Sequence, residues 1–255
     1  MADAGKIIAV VDGTYEGLLT TIHDYYYENL RPVMVLDGSL PSFQQELGAE
    51  YAFVTRDLDK AQKVQNAIET KLTHETQGVL LLAWQSASID KTFNIFRYIL
   101  LAFKDPKGVD SRTQLDFVMN VHHLKRNVGM EAHKLNGFAR FRELEDGVLY
   151  ADISPKNNVL HLVAEHFTDR LMGERFVIHD VSRNLAAMYD TQECVIVEMP
   201  AEVKASLVDK HDEKEWQQLW KMFYKTLSIQ ERANSKLRRQ LMPKYFWKHM
   251  TEHLS

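Results

Sequence analysis

Cysteine is nearly absent: Cys194 is the only one in 255 residues. A single thiol excludes an internal disulfide, a cysteine-rich zinc site, and an iron-sulfur cluster held by this chain alone. Long apolar runs are lacking too. A membrane helix needs roughly 18 to 20 uninterrupted apolar residues, and FNIFRYILLAF is broken by Arg97 and ended by Lys104. The start, MADAGK, has no basic stretch leading into a long apolar one. No signal peptide is therefore expected, and the expected location is the cytoplasm. The common catalytic signatures are missing as well. There is no Walker glycine loop, no G-x-G-x-x-G after a strand, no H-E-x-x-H, no G-x-S-x-G, and no deaminase H-x-E with P-C-x-x-C. The sequence implies no cofactor and no metal.

What is present is globular. With 45% hydrophobic and 26% charged residues, the chain has enough apolar content to bury a core in one large domain or two small ones. The net charge of −4 conceals an asymmetry. Residues 1–100 carry 8 Lys and Arg against 13 Asp and Glu, whereas 122–142 carries Lys125, Arg126, Lys134, Arg140 and Arg142 against Glu131 alone. Residues 230–250 repeat this, with Arg232, Lys236, Arg238, Arg239, Lys244 and Lys248 against Glu231. Two basic segments on an acidic chain suggest contact with a polyanion, although charged faces are usually just solvated.

The spacing predicts one α+β body over 1–255. Residues 1–136 read as mainly helical, 137–192 as a four-stranded antiparallel ββαββ unit, and 193–255 as helical. KIIAVV reads as a short buried strand closed by Asp12-Gly13, and either Asp12 or Thr14 can cap the helix that follows. Residues 30–55 read as irregular apart from a short strand near Tyr51. Further helices are expected at 57–72, 76–86 and 89–103. A long helix over 111–135 follows, with Phe117, Val121, Leu124, Val128, Ala132 and Leu135 on its buried face. On a 100° wheel His122, Arg126 and His133 fall within about 40° of each other on the other side. Asn136-Gly137 is expected to end this helix in the left-handed conformation.

The segment GFARFRELEDGVLYADISP reads as a hairpin, and two loop lengths compete. A two-residue loop would put Arg140 and Arg142 on the face of Leu149 and Ile153. A three-residue loop, 145–147 with Gly147 left-handed, turns Ala139, Phe141, Leu149, Ala151 and Ile153 inward and both arginines outward, and is preferred. It sets Arg140 across from Asp152 and Arg142 across from Tyr150. A helix at 158–171 and a second hairpin, 175–179 with 185–189, complete the unit.

Taken in order, VDGTYEG, EAHKLNGFARFRE with EDGVLYADISP, RFVIHDVSR, and a tryptophan-bearing helix with MPKYFWKH resemble an uncharacterised bacterial family described in terms of DNA metabolism and DNA repair. The resemblance spans nearly the whole chain. Its matching positions are Asp12, Gly13, Glu16, Gly17, Glu131, His133, Gly137, Phe138, Arg140, Phe141, Asp146, Gly147, His179, Asp180, Arg183, Pro243 and Tyr245. Members of that family are encoded beside a radical SAM protein, and a related domain is fused to a uracil-DNA glycosylase-like domain. The resemblance thus implies DNA and a radical SAM protein as partners. It carries over no reaction.

Candidate sites follow from residue type and placement. His179 and Asp180 at a hairpin corner, with Arg183 in the loop, are the stronger catalytic candidates, because loops on a rigid sheet present chemistry well. The competing reading is a turn held by the Asp180 side chain. His133 with Glu131 is a weaker pair, since helix neighbours two apart point in different directions. His161 and Glu165, four apart, offer two metal ligands with Asp152 or His179 as a third, and two ligands do not make a site. For nucleic acid, Arg126, Lys134, Arg140, Arg142 and Arg183 are expected to meet phosphates. Arg238, Arg239 and Lys244, interleaved with Tyr245, Phe246 and Trp247, suit a single strand, and the alternative for them is an amphipathic terminal helix. Two functions follow. The favoured one is a nucleic-acid-binding accessory protein in DNA repair or modification, beside a radical SAM enzyme. The alternative is an enzyme acting on DNA or a nucleotide near His133, His179, Asp180 and Arg183.

Overall fold

A computed structural model describes residues 6–40, 48–144 and 147–199. The chain mixes helix with strand and divides into two compact units, Met1–Val128 and Gly129–Ser255. Among the described residues no helix is long and apolar enough to cross a membrane.

The first unit is built on a parallel sheet that the sequence reading only glimpsed. Strands β1 (Ile7–Val11), β2 (Met34–Asp37) and β3 (Glu50–Phe53) lie in the order β2-β1-β3, and both outer strands run parallel to β1. Helix α1 (Tyr15–Tyr27) makes the crossover from β1 to β2, which is why those strands are parallel. Outer strands of four residues, with only Val35 fully buried in β2, carry too weak a pattern to read as a sheet. Helices α2 (Leu58–Lys71), α3 (His74–Trp84) and α4 (Lys91–Lys104) then follow close to their expected limits. Asp57 caps α2 by accepting from the amides of Asp59 and Lys60 at 3.0 Å each. The core joins Ala9 and Val11 of β1 to Leu18 and Ile22 of α1, Val64 and Ile68 of α2, and Ile95 and Ile99 of α4.

The turn after β1 explains its sequence. Thr14 is the N-cap of α1, accepting from the Gly17 amide at 3.0 Å. Asp12 steadies Thr14 instead, accepting from its amide at 3.0 Å and its hydroxyl at 2.6 Å. Gly13 has φ +79°, and a Cβ there would lie 2.6 Å from Ser39 Oγ. A Cβ at Gly17 would lie 2.3 Å from Asp12 Oδ1. Gly13 is required by its left-handed backbone, whereas a Cβ at Gly17 would have to displace the Asp12 carboxylate.

Helix α5 (Asp116–Phe138) buries Phe117, Val121, Leu124, Val128, Ala132 and Leu135, the stripe its spacing predicted. It does not stop at Asn136-Gly137. Gly137 is not left-handed, and the Ala139 amide still donates to Leu135 O at 2.8 Å, so the helical ladder simply continues.

In the second unit the expected four-stranded antiparallel sheet is instead five-stranded and mixed. Strands β4 (Arg142–Glu143), β5 (Leu149–Ile153), β6 (Phe176–Asp180), β7 (Leu185–Tyr189) and β8 (Cys194–Glu198) lie in that order. β5 and β6 are parallel, because the chain between them crosses over through α6 (Leu160–Arg170); the other pairs are antiparallel. β8 is a strand that the sequence reading assigned to a helical region.

The preferred register of the first hairpin holds. Arg142 pairs with Tyr150, Leu144 N donates to Val148 O, and Gly147 is left-handed at φ +70°. This fixes the faces. Phe141, only partly buried, meets Phe167 of α6 edge-on at 4.8 Å and lies 6.1 Å from Phe176. Leu160, Val163, Ala164 and Phe167 of α6 are buried. The opposite face carries Arg142, Tyr150, Asp152, Val177, His179 and Ala186, of which Tyr150, Val177 and Ala186 form a small second core with Met199.

Candidate functional site

The strongest chemical constellation lies on that second sheet face. Tyr150 and Asp152 are two apart on β5 and so share a side, and the parallel register brings His179 level with Asp152. The Tyr150 hydroxyl donates to Asp152 Oδ1 at 2.6 Å and lies 2.9 Å from His179 Nδ1. Asp152 Oδ1 is also 3.3 Å from that nitrogen. Arg142 stacks over the Tyr150 ring at 4.6 Å, with its guanidinium 4.0 Å from Asp152 Oδ2.

The tautomer follows from these partners. The one hydroxyl proton of Tyr150 points at Asp152, so toward His179 its oxygen can only accept, and a carboxylate also accepts; His179 therefore carries its proton on Nδ1. In the neutral ring Nε2 is then the lone-pair acceptor. It is buried and has no hydrogen-bond partner among the described residues, in a side chain 2% exposed. A buried acceptor without a donor is costly. Burial, with the Asp152 carboxylate beside it, raises the Tyr150 phenol well above its usual range, so this hydroxyl stays protonated.

His179 and Asp180 do not form one site. As neighbours in β6 they face opposite sides of the sheet. Asp180, fully buried, accepts from the amides of Ser182 and Arg183 and pairs with Arg183 Nη1 at 3.0 Å. Arg183 also donates to the carbonyls of Pro155 and Lys156. Asp180 and Arg183 thus bind the β6–β7 turn to the loop before α6, the turn alternative of the sequence reading.

Glu131 secures the same loop from the α5 side. It is 5% exposed and accepts from the amides of Lys156 at 2.8 Å and Asn157 at 2.9 Å, and from Asn157 Nδ2 at 2.7 Å. Its neighbour His133 is exposed and turned away.

The basic residues sort into two groups. Arg126 is exposed and Lys134 half-exposed on α5. The β4–β5 ladder does not extend to Arg140 and Asp152, the pair expected from the loop length. β4 begins only at Arg142, and Arg140 turns back to donate to Gly137 O at 3.0 Å and Ala139 O at 3.3 Å, at the carbonyl end of α5. Arg142 is half-buried against Tyr150, not turned outward. Arg238, Arg239 and Lys244 lie outside the described residues.

A cation site is not assembled around His161 and Glu165. Burial lowers the His161 imidazole from its ordinary value, only partly offset by Glu165. Among the described residues the one group with three ligand atoms close enough to share an ion is His23, Asp24 and Glu28. The Lys60 ammonium already sits there, donating to Asp24 at 2.8 Å and to Glu28.

Tyr150 and Asp152 are the site residues that sequence reasoning underweighted. Their signal was the i, i+2 spacing on a strand, which guarantees a common face; the parallel pairing that adds His179 was not visible without the crossover. Residues 90–252 match a family described as a domain of unknown function, DUF4130. No curated protein matches the chain.

Proposed function

This chain belongs to the DUF4130 family, and on that premise we propose that it is a nucleic-acid-binding accessory protein of DNA repair or DNA modification, working beside a radical SAM enzyme. One observation carries the reading. Between Phe117 and Arg142 the only carboxylate is Glu131, and it is buried with its oxygens occupied by the amides of residues 156 and 157. The solvent side of α5 is left with exposed Arg126 and His133 and half-exposed Lys125 and Lys134, with no carboxylate of residues 117–142 among them. Gly129 and Gly137 lie along the same helix with nothing within 4 Å of an added Cβ, so a phosphate backbone can come close to the helix there.

The test is oligonucleotide affinity at two salt concentrations for wild type and for Arg126→Ala/Lys134→Ala. The double variant should bind every sequence more weakly, with a salt slope shallower by about 0.9 for each duplex phosphate that is no longer neutralised. Equal affinity and equal slope would remove the proposal. The radical SAM partner rests on the resemblance alone, and sedimentation of the two purified proteins together tests it.

The second reading, an enzyme acting on DNA or a nucleotide, is favoured by the unpartnered Nε2 of His179, a base backed by Tyr150 and Asp152. Under it, the purified protein processes a damaged oligonucleotide unaided and His179→Gln does not.

A further inference from the structure

The first unit contains a half-open groove of about 470 Å³ that plays no part in the function proposed above. It lies between α2 and α3, with Ile68, Leu80 and Leu81 as apolar lining and Tyr15 and Trp84 as an aromatic wall, ring centroids 5.1 Å apart. Gly78 also lines it, and a Cβ built there meets nothing within 4 Å. Glycine inside a helix is unfavourable, and no neighbouring atom requires it at this position. What its missing side chain does is keep the groove open and let a ligand approach the α3 backbone.

The polar rim specifies the ligand. Gln65 donates its amide nitrogen to Glu69 Oε1 at 2.7 Å, and Gln77 donates to Glu69 O at 3.1 Å and Leu72 O at 3.0 Å. The Gln77 nitrogen is thus engaged and that of Gln65 keeps one N–H, which leaves two carbonyl oxygens and the Glu69 carboxylate as acceptors on a rim that also holds His74 and Gln85. The rim is therefore rich in acceptors. None of the lining residues is Lys or Arg, and the Lys91 ammonium behind the Trp84 ring is already bonded to the Trp84 carbonyl at 3.0 Å. An organic ammonium is disfavoured, because the Lys91 ammonium already sits 4.4 Å over the Trp84 ring and would repel a second cation. A flat, uncharged ring bearing N–H donors satisfies the wall and the rim together.

We propose that the groove over Gly78 binds an uncharged nucleobase carrying an exocyclic amino group, presented by a free nucleoside or by an unpaired position of a strand. Adenine, cytosine and guanine qualify; thymine lacks the amino group. This assignment is independent of the α5 face. Calorimetric titration of the full chain with adenosine, cytidine, guanosine and thymidine tests it, with a short oligonucleotide as a separate arm to distinguish the two presentations. At least one amino-bearing nucleoside, or the oligonucleotide carrying it, should bind at one site, and thymidine at least tenfold more weakly. Gly78→Leu fills the open space and should weaken binding at least tenfold while leaving the unfolding midpoint unchanged or raised. If that variant fails to fold, Leu81→Ser, at a position 62% exposed, takes its place and should weaken binding in the same direction. Absence of binding by wild type, undiminished binding by the folded variants, preference for thymidine, or binding of spermidine in place of nucleosides would each overturn the assignment.

Discussion

The Tyr150 hydroxyl stands 2.9 Å from His179 Nδ1 and 2.6 Å from Asp152 Oδ1, joining two strands that run in parallel. Removing that oxygen leaves the His179 N–H with only the longer Asp152 interaction and takes a donor from the carboxylate. Tyr150→Phe should therefore destabilise by about 1–3 kcal/mol, the cost of buried partners left wanting, although the ring and its packing are kept. Urea unfolding measures it. A change under about 0.5 kcal/mol would mean that the trio is not coupled in the folded state.

Glu131 reaches from α5 to two consecutive backbone amides ahead of α6, and its loss should be felt in that loop. Glu131→Ala leaves those N–H groups without their charged acceptor, for a cost of roughly 2–4 kcal/mol. Hydrogen exchange at residues 156 and 157 should quicken beyond what the global loss explains. Glu131→Gln, which retains one carbonyl oxygen, should fall between. If exchange there is unchanged, the loop is held by the Arg183 bonds alone.

Much of this architecture was legible in the sequence, and the exceptions share a cause. The α5 stripe and the 145–147 loop length could be read because local spacing alone determines them: one slip would have put Arg142 on the face of Leu149 and Ile153. The parallel pairing of β5 with β6 could not be read that way. It depends on where a helix sends the chain, and Ser154 to Arg175 look the same whether the next strand returns beside β5 or elsewhere. β2 and β8 were missed for a related reason, since their pairing partners supply what a four- or five-residue pattern lacks. At the site, Asp180 and Arg183 drew attention as charged loop residues and turned out to hold the turn together. Tyr150 and Asp152, the residues that orient His179, looked like ordinary positions of an alternating strand.

Gly17 and Asp12 allow a prediction whose sign depends on background. A Cβ at residue 17 would lie 2.3 Å from Asp12 Oδ1 and 3.3 Å from Thr14 Oγ1. In the wild type, Gly17→Ala must push the carboxylate off Thr14, forfeiting the two bonds that steady the capping residue, at a cost of about 1 kcal/mol or more. With Asp12→Ala already in place the obstruction is gone, and the same substitution should stabilise α1 by up to about 1 kcal/mol through helix propensity. A double-mutant cycle by thermal unfolding checks this. A Gly17→Ala effect of the same size in both backgrounds would show that the Asp12 carboxylate does not occupy that space.

Asp57 gives the clearest dependence on pH. Its carboxylate accepts from the Lys60 and Asp59 amides at the start of α2, and these bonds, the first above all, together with the Lys60 and Lys63 charges hold its pKa below the ordinary 3.8 against the opposing effect of burial. Asp12 is displaced the same way: burial, the largest single influence, pushes it up, but the Thr14 hydroxyl and amide and the Arg56 guanidinium together bring it down. Asp190 follows, held low by the amides of Glu193 and Gln192. A carboxylate with a lower pKa folded than unfolded binds fewer protons in the native state near that pKa. Its stabilisation is then complete above 3.8 and lost as pH falls through the folded value. Stability should accordingly be flat in this respect from neutrality to about pH 5 and drop below about pH 4. Asp57→Asn isolates one contribution, because asparagine caps a helix almost as well but does not titrate. Near neutrality the variant should be slightly less stable than wild type, by what the charge adds at the helix N-terminus. As pH is lowered past 3.8 the wild type should lose that advantage and the two unfolding midpoints should converge. Midpoints that stay parallel down to the acid transition would mean that the Asp57 carboxylate is not bonded to the α2 amides in solution.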